Sequence, residues 1–428
     1  MLNTGEIIKV NITDTTPMGA GVAKPDGFTV FCPGTLTGEI CDVRITEVKK
    51  NYAMAECTAI DNLSPRRCDA GCSSYPACGG CTLRHADYSF EAEIKENAVR
   101  HAFIKCGVTP RVFNSIVMPR EEGYRNKVSF RFDRHGKACF YSAESHKAAR
   151  FPSDGCRVCP EVFSSIAAHL TNTIAEKKLT PPDEVMLRIS RDGEINAAIT
   201  GKLSEAETGA YVMALCSRFR DITGIVTRKS AKDRYRTVMG EKHITTELMG
   251  VRFRVSPEAF FQVNYEGAER LFSEVVRLAE KTPFTDCADL YCGTGTIGMI
   301  LASRFKSARF TGVEINAEAV ADAKYNAKLN GLSNVDFFCG DAAGYAKDEK
   351  PQLVVVDPPR KGLSDGMTEV MRELSPEAII YVSCNPFTLA RDLARLTEFG
   401  YVADEVTPVN MFPRSEHCEV VCALRTTT

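Results

Sequence analysis

Cys384 stands at the end of an apolar run and could act as a nucleophile. It follows the run 381–383 and is followed at once by Asn385 and Pro386. A thiol at a strand end, just before a helix that begins with proline, can be exposed and activated by the positive end of that helix. Cysteines inside apolar runs, such as Cys287, fit buried strand positions better. The sequence therefore predicts a nucleophilic thiol at Cys384.

Asp357 ends another apolar run, 354–356, and two prolines follow it. The prolines hold the backbone extended, so the carboxylate is fixed at a strand end, where it can accept a hydrogen bond from the N3–H of a uracil ring. Enzymes that methylate amino groups usually close this motif with an aromatic residue that stacks on the base. Arg360 stands there instead. The motif therefore favours a different chemistry.

Thiol and carboxylate together fit methyl transfer to carbon 5 of uracil, which is a poor nucleophile. A thiolate that adds to carbon 6 makes carbon 5 reactive, and a base must later remove the carbon 5 proton so that the thiolate can leave. Glu419, directly before the last apolar run, is the better candidate for this base, and Glu416 and His417 are alternatives. The chemistry alone leaves the choice among the three open.

A glycine-rich turn upstream predicts a nucleotide site. The segment DLYCGTGTIG (289–298) follows a predicted strand and opens a predicted helix, so its backbone can approach a ligand closely. Glu314 ends the next strand, 21 residues after Gly293, where an acid can hold both ribose hydroxyls. Asp341, after the third strand, could meet the adenine edge. An NAD-dependent oxidoreductase is the alternative, but hydride transfer needs neither of the motifs described above.

From about residue 255, short apolar runs alternate with helical stretches. Expected strands cover 285–291, 309–314, 335–339, 353–357, 378–383 and 418–424. Expected helices cover 296–304, 317–330, 366–374 and 387–398. Repeated β-α units of this length predict an α/β, Rossmann-like sheet that is doubly wound and mostly parallel. Ligands bind at the carboxyl ends of such strands, and the motifs above fall there.

The N-terminal part has a different texture. Residues 1 to about 60 alternate in short runs broken by glycine and proline turns, which predicts a small β-barrel. Residues 88–106 predict an amphipathic helix, and 128–140 predict a β-hairpin. The stretch 155–250 is mixed α/β and indicates little more.

Composition is that of a globular protein with two or three domains: 428 residues, 44% hydrophobic and 25% charged. No secretory signal and no bilayer-length apolar run is evident, so we expect a cytoplasmic protein whose 18 cysteines stay reduced. The net charge is −2. Residues 120–150 nevertheless carry eight Lys/Arg against four Asp/Glu, and 228–236 form a second basic run. This pattern fits contact with a phosphate backbone and fits a solvated surface equally well.

Cysteines at ligand spacing form a separate cluster. Cys72, Cys78 and Cys81 lie in an aperiodic loop, and Cys156 and Cys159 lie far downstream. Four thiolates can hold either Zn²⁺ or an iron–sulfur cluster. Two C-x2-C pairs would suit zinc. The spacing is not that of a radical S-adenosylmethionine enzyme.

Several segments resemble the signature motifs of the bacterial RNA 5-methyluridine methyltransferases, the RumA/TrmA family. They are SCNPFTLARD (383–392), DPPR (357–360), FFQVN (260–264) and MFPRSEHCE (411–419). The resemblance implies a class I S-adenosylmethionine methyltransferase domain, with Cys384 as nucleophile and Glu419 as proton acceptor. The residues it implies at the S-adenosylmethionine site are Gln262, Tyr291, Glu314 and Asp357, and Asp341 also fits the pattern.

The resemblance extends to the rest of the chain. Residues 1–62 look like a TRAM domain, a small RNA-binding barrel. A central α+β domain would then cover 63–254, and the methyltransferase domain would cover 255–428. The segment YRNK (124–127) also looks family-like and would face RNA.

The cysteine spacing resembles the cluster motif of the ribosomal branch of this family. It implies a [4Fe–4S] cluster held by Cys72, Cys78, Cys81 and Cys156. Cys159 is the alternative fourth ligand, and zinc is the alternative metal.

The expected function is S-adenosylmethionine-dependent methylation of carbon 5 of a uridine in RNA. The cluster favours 23S rRNA as the substrate, and the T-loop of tRNA is the alternative. We expect no membrane association and no obligate protein partner. An RNA-binding zinc protein with a vestigial nucleotide fold is a contrasting hypothesis, but the intact Cys384, Asp357 and Glu419 argue against it.

Overall fold

The computed structural model describes residues 2–142, 147–347 and 350–426, and its N-terminal part is a six-stranded sheet. The strands are β1 (Ile7–Asn11), β2 (Asp14–Thr15), β3 (Ala20–Ala23), β4 (Thr29–Pro33), β5 (Ile40–Val48) and β6 (Tyr52–Asn62), in the order β1-β5-β6-β4-β3-β2. Alternation builds the core, because Cys41, Val43 and Ile45 are buried while the residues between them are not. The buried side chains of β5 share one apolar core with residues of β1, β4 and β6.

A loop with three of the clustered cysteines leads from this sheet into α1 (Tyr88–Lys105) and β7 (Val112–Phe113). Asp87 begins the helix, because its side chain accepts a hydrogen bond from the Phe90 N–H at 2.7 Å. Val99 and Phe103 on α1 belong to the core of the C-terminal sheet. The segment therefore packs with the C-terminal part of the chain, and the predicted limits at 62/63 and 254/255 stay predictions.

The central sheet has seven strands, in the order β10-β9-β8-β11-β12-β13-β14. In chain order the elements are β8 (Lys127–Phe132), β9 (Ala138–Tyr141), β10 (Ala148–Arg150), α2 (Glu161–Lys177), β11 (Glu184–Ile189), β12 (Ile195–Thr200), α3 (Glu205–Arg218), β13 (Ile222–Arg228) and β14 (Arg236–Gly240). The predicted hairpin is confirmed, since β8 and β9 pair antiparallel with Arg131 opposite Cys139. Apolar side chains of α2 and α3 share one core with β8, β11 and β12.

Three elements connect the central and C-terminal sheets: the hairpin β15 (Ile244–Leu248) and β16 (Val251–Val255), then α4 (Tyr265–Glu280). Asn264 begins α4, because its side chain accepts a hydrogen bond from the Gly267 N–H at 3.0 Å. The apolar residues of all three elements join the core of the C-terminal sheet.

The C-terminal sheet has eight strands, in the order β19-β18-β17-β20-β21-β23-β22-β7. In chain order the elements are β17 (Asp286–Leu290), α5 (Thr296–Arg304), β18 (Arg309–Glu314), α6 (Ala317–Leu329), β19 (Val335–Cys339), β20 (Leu353–Val356), α7 (Asp365–Leu374), β21 (Ala378–Ser383), α8 (Pro386–Thr397), β22 (Tyr401–Val409) and β23 (Glu419–Thr426). Strands β17 to β21 are parallel, whereas β23 runs antiparallel to β21. Every residue of β20 and β21 is buried, as expected for strands covered on both faces.

The predicted α/β alternation is confirmed element by element, and the parallel strands carry the site motifs at one edge. Neither β22 nor the added strand β7 was predicted. None of the helices in the described part of the chain combines the length and apolarity that crossing a bilayer requires.

Candidate active site

The carboxyl edge of the parallel strands brings together the predicted nucleophile, the predicted base and the carboxylate predicted to bind the uracil ring. Asp357 directly follows β20, Cys384 directly follows β21, and Glu419 is the first residue of β23. In the antiparallel pair, Ser383 lies opposite Val420, so the next residues outward, Cys384 and Glu419, face each other. The thiol therefore lies between two carboxyl groups.

Both carboxyl groups are harder to ionise than in water. Burial and, to a smaller extent, the charge of Asp357 raise the pKa of Glu419 to about 8, against the opposing charge of Arg360. Burial also raises the pKa of Asp357 to about 7. Near neutral pH the edge therefore holds a largely protonated Glu419 beside a partly ionised Asp357.

The expected activation of the Cys384 thiol by the helix terminus is not met, because its pKa is raised rather than lowered. Burial raises its pKa to about 11, with further contributions from Glu419 and Asp357. The N-terminus of α8 is already engaged, because the Phe387 N–H donates to the Asn385 side chain at 3.1 Å. Desolvation and two neighbouring acids outweigh the helix dipole here.

The alternative bases, His417 and Glu416, lie at the mouth of the site. His417 Nε2 is 3.2 Å from Arg360 Nη2, and burial and the Arg360 charge lower the pKa of this histidine. Glu416 Oε1 is 3.9 Å from His417 Nδ1. Among the three candidates, Glu419 is the one opposite the thiol.

The predicted nucleotide residues follow the neighbouring strands. Glu314 accepts hydrogen bonds from the Gly293 N–H at 3.1 Å and the Asn316 N–H at 2.8 Å, which fixes its carboxylate against the glycine turn. Tyr291 has a left-handed backbone, with φ of +65°, which is rare outside glycine and marks strain at a functional turn. Asp341 is exposed and accepts from the Ala343 N–H at 3.1 Å.

Asp289 is a site residue that the sequence analysis did not select. It is 1% exposed; its Oδ2 accepts from the Gly298 N–H at 2.8 Å, and its Oδ1 has no hydrogen-bond partner in the described structure. Burial raises its pKa to about 7, and the charges of Asp357 and Glu314 add to the rise. The signal in the sequence was an acidic residue at the end of a predicted apolar strand, directly before the glycine-rich turn.

Gln262 is buried in the segment before α4, where its backbone carbonyl accepts from Asn126 Nδ2 at 3.0 Å. Asn126 and Tyr124 are each 2% exposed, so the expectation that residues 124–127 face RNA is wrong for these two. Only Arg125 and Lys127, which alternate with them, line an open cavity.

That cavity, of about 560 Å³, also collects the clustered cysteines. The cysteines that line it are Cys72, Cys78, Cys81, Cys156 and Cys159. A hydrogen bond from Cys159 is the main cause that lowers the pKa of Cys156 to about 7. Within the described ranges, no three His, Cys, Asp or Glu side chains are arranged so that they could hold a metal ion. The donor set is soft and shares one cavity, which suits a thiolate-bound group, but the side chains do not form a finished ligand cage.

The buried acid predicts a pH-dependent stability. The pKa of Glu419 is raised on folding, so the stability it contributes is present below its unfolded pKa of about 4.3 and is lost as the pH rises through about 8. Glu419→Gln should therefore be more stable than wild type at pH 8.5, by roughly 2–4 °C in Tm for each kcal/mol relieved. At pH 4.5 the difference should nearly vanish.

Thermal unfolding of the ligand-free protein at the two pH values measures this. Glu416→Gln, at the mouth of the site, is the matched control. An equal Tm for the two variants at pH 8.5 would contradict the assigned burial of Glu419.

Comparison with known families agrees with this architecture. A TRAM domain matches residues 2–58, a methyltransferase small domain matches 251–382, and a tRNA (uracil-5-)-methyltransferase domain matches 341–427. The expected TRAM domain and class I methyltransferase fold are thereby confirmed.

Relatives match over the whole length. An uncharacterized RNA methyltransferase of Halalkalibacterium halodurans is 33% identical, over 99% of this chain and 98% of its own. Another, from Caldanaerobacter subterraneus subsp. tengcongensis, is 32% identical, over 97% of this chain and 98% of its own. The structure of Pyrococcus abyssi tRNA (uracil-54, C5)-methyltransferase with S-adenosyl-L-homocysteine has a TM-score of 0.78 at 24% identity, and the match covers 97% of this chain and 99% of that one. The fold is therefore shared across all three sheets.

Proposed function

This chain belongs to the RNA (uracil-5-)-methyltransferase family, and we propose that it methylates carbon 5 of a uridine in RNA through a covalent adduct on Cys384. The methyl donor is S-adenosylmethionine. One observation carries the mechanism: a thiol and a carboxyl group face each other across β21 and β23, with a second carboxyl group beside them. An NAD-dependent oxidoreductase needs no such arrangement.

The reaction begins when the Cys384 thiol gives its proton to solvent water and its sulfur adds to carbon 6 of the uracil. The electron pair of the C5–C6 double bond moves into the ring as an enolate, which attacks the methyl group and releases S-adenosylhomocysteine. Glu419 then takes the proton from carbon 5; the double bond reforms and the thiolate leaves. Asp357 accepts from the N3–H of the ring and fixes its orientation.

The ionised form of Glu419 is the working base in this scheme. Because burial and Asp357 raise its pKa to about 8, the enzyme must operate near the titration of its own base. We therefore expect kcat to rise as the pH increases through about 8. A pH–rate profile that is flat from pH 6 to 9 would contradict the assignment of Glu419 as base.

Gln262, Tyr291, Glu314 and Asp341 are the proposed S-adenosylmethionine residues. Each oxygen of Glu314 accepts one backbone N–H and keeps a second lone pair, so the carboxylate can still accept from two ribose hydroxyls. Asp341 is exposed on the neighbouring strand, where it can reach the adenine edge. Gln262 and Tyr291 complete the proposed S-adenosylmethionine site.

Two variants separate the covalent steps. Cys384→Ala should lose turnover by at least about 10³-fold while keeping S-adenosylmethionine binding, because it removes only the nucleophile. Glu419→Gln should transfer the methyl group and then stall, so a methylated RNA–protein adduct accumulates on a denaturing gel. Cys216→Ala, at a partly buried cysteine on α3 of the central part of the chain, is the control. Full activity in Cys384→Ala would refute the thiolate mechanism.

The second part of the proposal concerns the cysteine cavity. A [4Fe–4S] cluster would be held there by Cys72, Cys78, Cys81 and Cys156, with Cys159 as the alternative fourth ligand and zinc as the alternative metal. Cationic side chains on the same wall would offset the charge of four thiolates; they are Arg84, Arg125, Lys127 and Arg157. Cys68 does not line the cavity, and its thiol donates to the Arg84 carbonyl oxygen at 3.4 Å instead.

Metal analysis tests the ligand set. Cys78→Ser should lose iron and acid-labile sulfide from anaerobically purified protein, whereas Cys68→Ser should keep both. Loss in Cys156→Ser with retention in Cys159→Ser would support Cys156 as the fourth ligand, and the reverse pattern would reassign it. Zinc without sulfide in the wild type would replace the cluster.

The proposed RNA is 23S rRNA, and tRNA is the alternative. Methyl transfer from labelled S-adenosylmethionine to unmodified 23S rRNA and to unmodified tRNA, followed by nucleoside analysis, decides between them. We expect 5-methyluridine in the rRNA pool. Label in tRNA alone would reverse the choice and keep the chemistry.

A further inference from the structure

The loop that leads to Glu419, residues 410–418 between β22 and β23, has no regular structure, yet its first half is largely buried. We call it the Glu419 loop. Asn410 and Met411 are 0% exposed and Arg414 is 7% exposed. A buried loop is stable only if its backbone polar groups find partners. The partners of this loop show what holds Glu419 in place.

Four consecutive carbonyl groups of the Glu419 loop each receive a hydrogen bond from a different part of the chain. The carbonyl of Met411 accepts from Asn264 Nδ2 at 3.0 Å, that of Phe412 from Lys95 Nζ at 3.1 Å, that of Pro413 from Tyr124 Oη at 2.9 Å, and that of Arg414 from the Thr82 N–H at 2.8 Å. Helix α1, the cysteine loop, the entry to β8 and the start of α4 thus all hold one peptide segment.

A buried ion pair on α1 organises this contact. Lys95 and Glu91 are both 0% exposed and are joined at 2.9 Å. Lys95 Nζ also donates to Asn410 Oδ1 at 2.7 Å, which with the Phe412 carbonyl uses all three of its protons. Glu91 Oε1 also accepts from Asn410 Nδ2 and from the Arg414 N–H, both at 2.9 Å. The pair therefore holds both ends of the segment 410–414.

Stability alone does not account for this pair. Desolvation of two charges offsets most of their attraction, and well-packed apolar residues often serve as well or better. Directed hydrogen bonds supply what apolar contacts cannot, a fixed position. Arg414 shows that a position is being imposed, because its backbone is left-handed with φ of +68° while its side chain is bound by the Ala86 carbonyl at 2.7 Å and by Glu121.

We propose that Lys95 and Glu91 are positioning residues for the proton-removal step. They hold the Glu419 loop so that the carboxylate of Glu419 reaches carbon 5 of the methylated adduct. Both side chains are fully buried, so neither is placed to contact the RNA or the methyl donor. This role rests on the proposed function, since it concerns the same covalent intermediate.

The adduct provides a readout that simple loss of structure would not change in the same way. Lys95→Met should lower kcat by roughly 10–100-fold with KM for both substrates within about twofold, because displacement of about 1 Å can cost 10²-fold in rate. Methylated RNA–protein adduct should accumulate, as in Glu419→Gln, because attack by Cys384 and methyl transfer do not depend on the loop. Lys105→Met, exposed at the end of the same helix, should behave as wild type.

A second variant keeps the test valid if Lys95→Met does not fold. Lys95→Met with Glu91→Gln buries no unpaired charge, and it should show the same adduct accumulation. Retained turnover in either folded variant, or lowered turnover without adduct, would overturn the positioning role. Wild type and Glu419→Gln are measured alongside: absence of 5-methyluridine in the first and of adduct in the second refutes the proposed function itself.

Discussion

A thiol beside two carboxyl groups at one edge of a sheet, the buried Glu419 and the half-buried Asp357, forms the constraint on which this structure depends. Water would stabilise the ionised forms of Asp357 and Glu419, and the protein interior does not, so their pKa values rise to about 7 and about 8. When both are ionised, the two carboxylates repel each other and attract water, so the surrounding strands have to hold them in place. The wholly buried strands β20 and β21 do this, since they cannot shift without exposing valine and isoleucine side chains.

The direction of β23 explains how Glu419 reaches the site. Parallel strands bring the residues that follow them to the carboxyl edge, as at Asp357 and Cys384. An antiparallel strand brings its first residue there, so Glu419 reaches the edge only because the chain returns from β22 along that edge. The loop that makes this return lies in the interior, and its carbonyl groups must be satisfied by side chains from other elements. The contacts of Lys95, Asn264 and Tyr124 are the consequence of that topology.

The sequence predicts the parts of the site that depend on local pattern. Proline after Asp357 and Cys384, and the glycine turn before Glu314, are short-range signals, and the strands and helices around them were predicted within a few residues. The pairing that sets Cys384 opposite Glu419 is long-range and has no local signature. The lack of a local signature for long-range contacts also explains where the expectations for Cys384, Tyr124 and Asn126 differ from the structure. The thiol pKa depends on acids from two other strands, and the buried orientation of Tyr124 and Asn126 depends on segments about 140 to 290 residues away along the chain.

Three parts of the chain meet at a single residue, Thr82, which directly follows Cys81. The Thr82 N–H donates to the Arg414 carbonyl of the Glu419 loop at 2.8 Å. On the other side, Gly19 of the N-terminal sheet approaches so closely that a Cβ there would lie 2.1 Å from the Thr82 carbonyl oxygen. Only glycine, here at φ of +73°, permits this approach. The cysteine loop, the loop that carries Glu419 and the N-terminal sheet are therefore in contact through this one residue. The cysteine cavity and the site of chemistry are connected, because both depend on contacts to the same short segment of backbone.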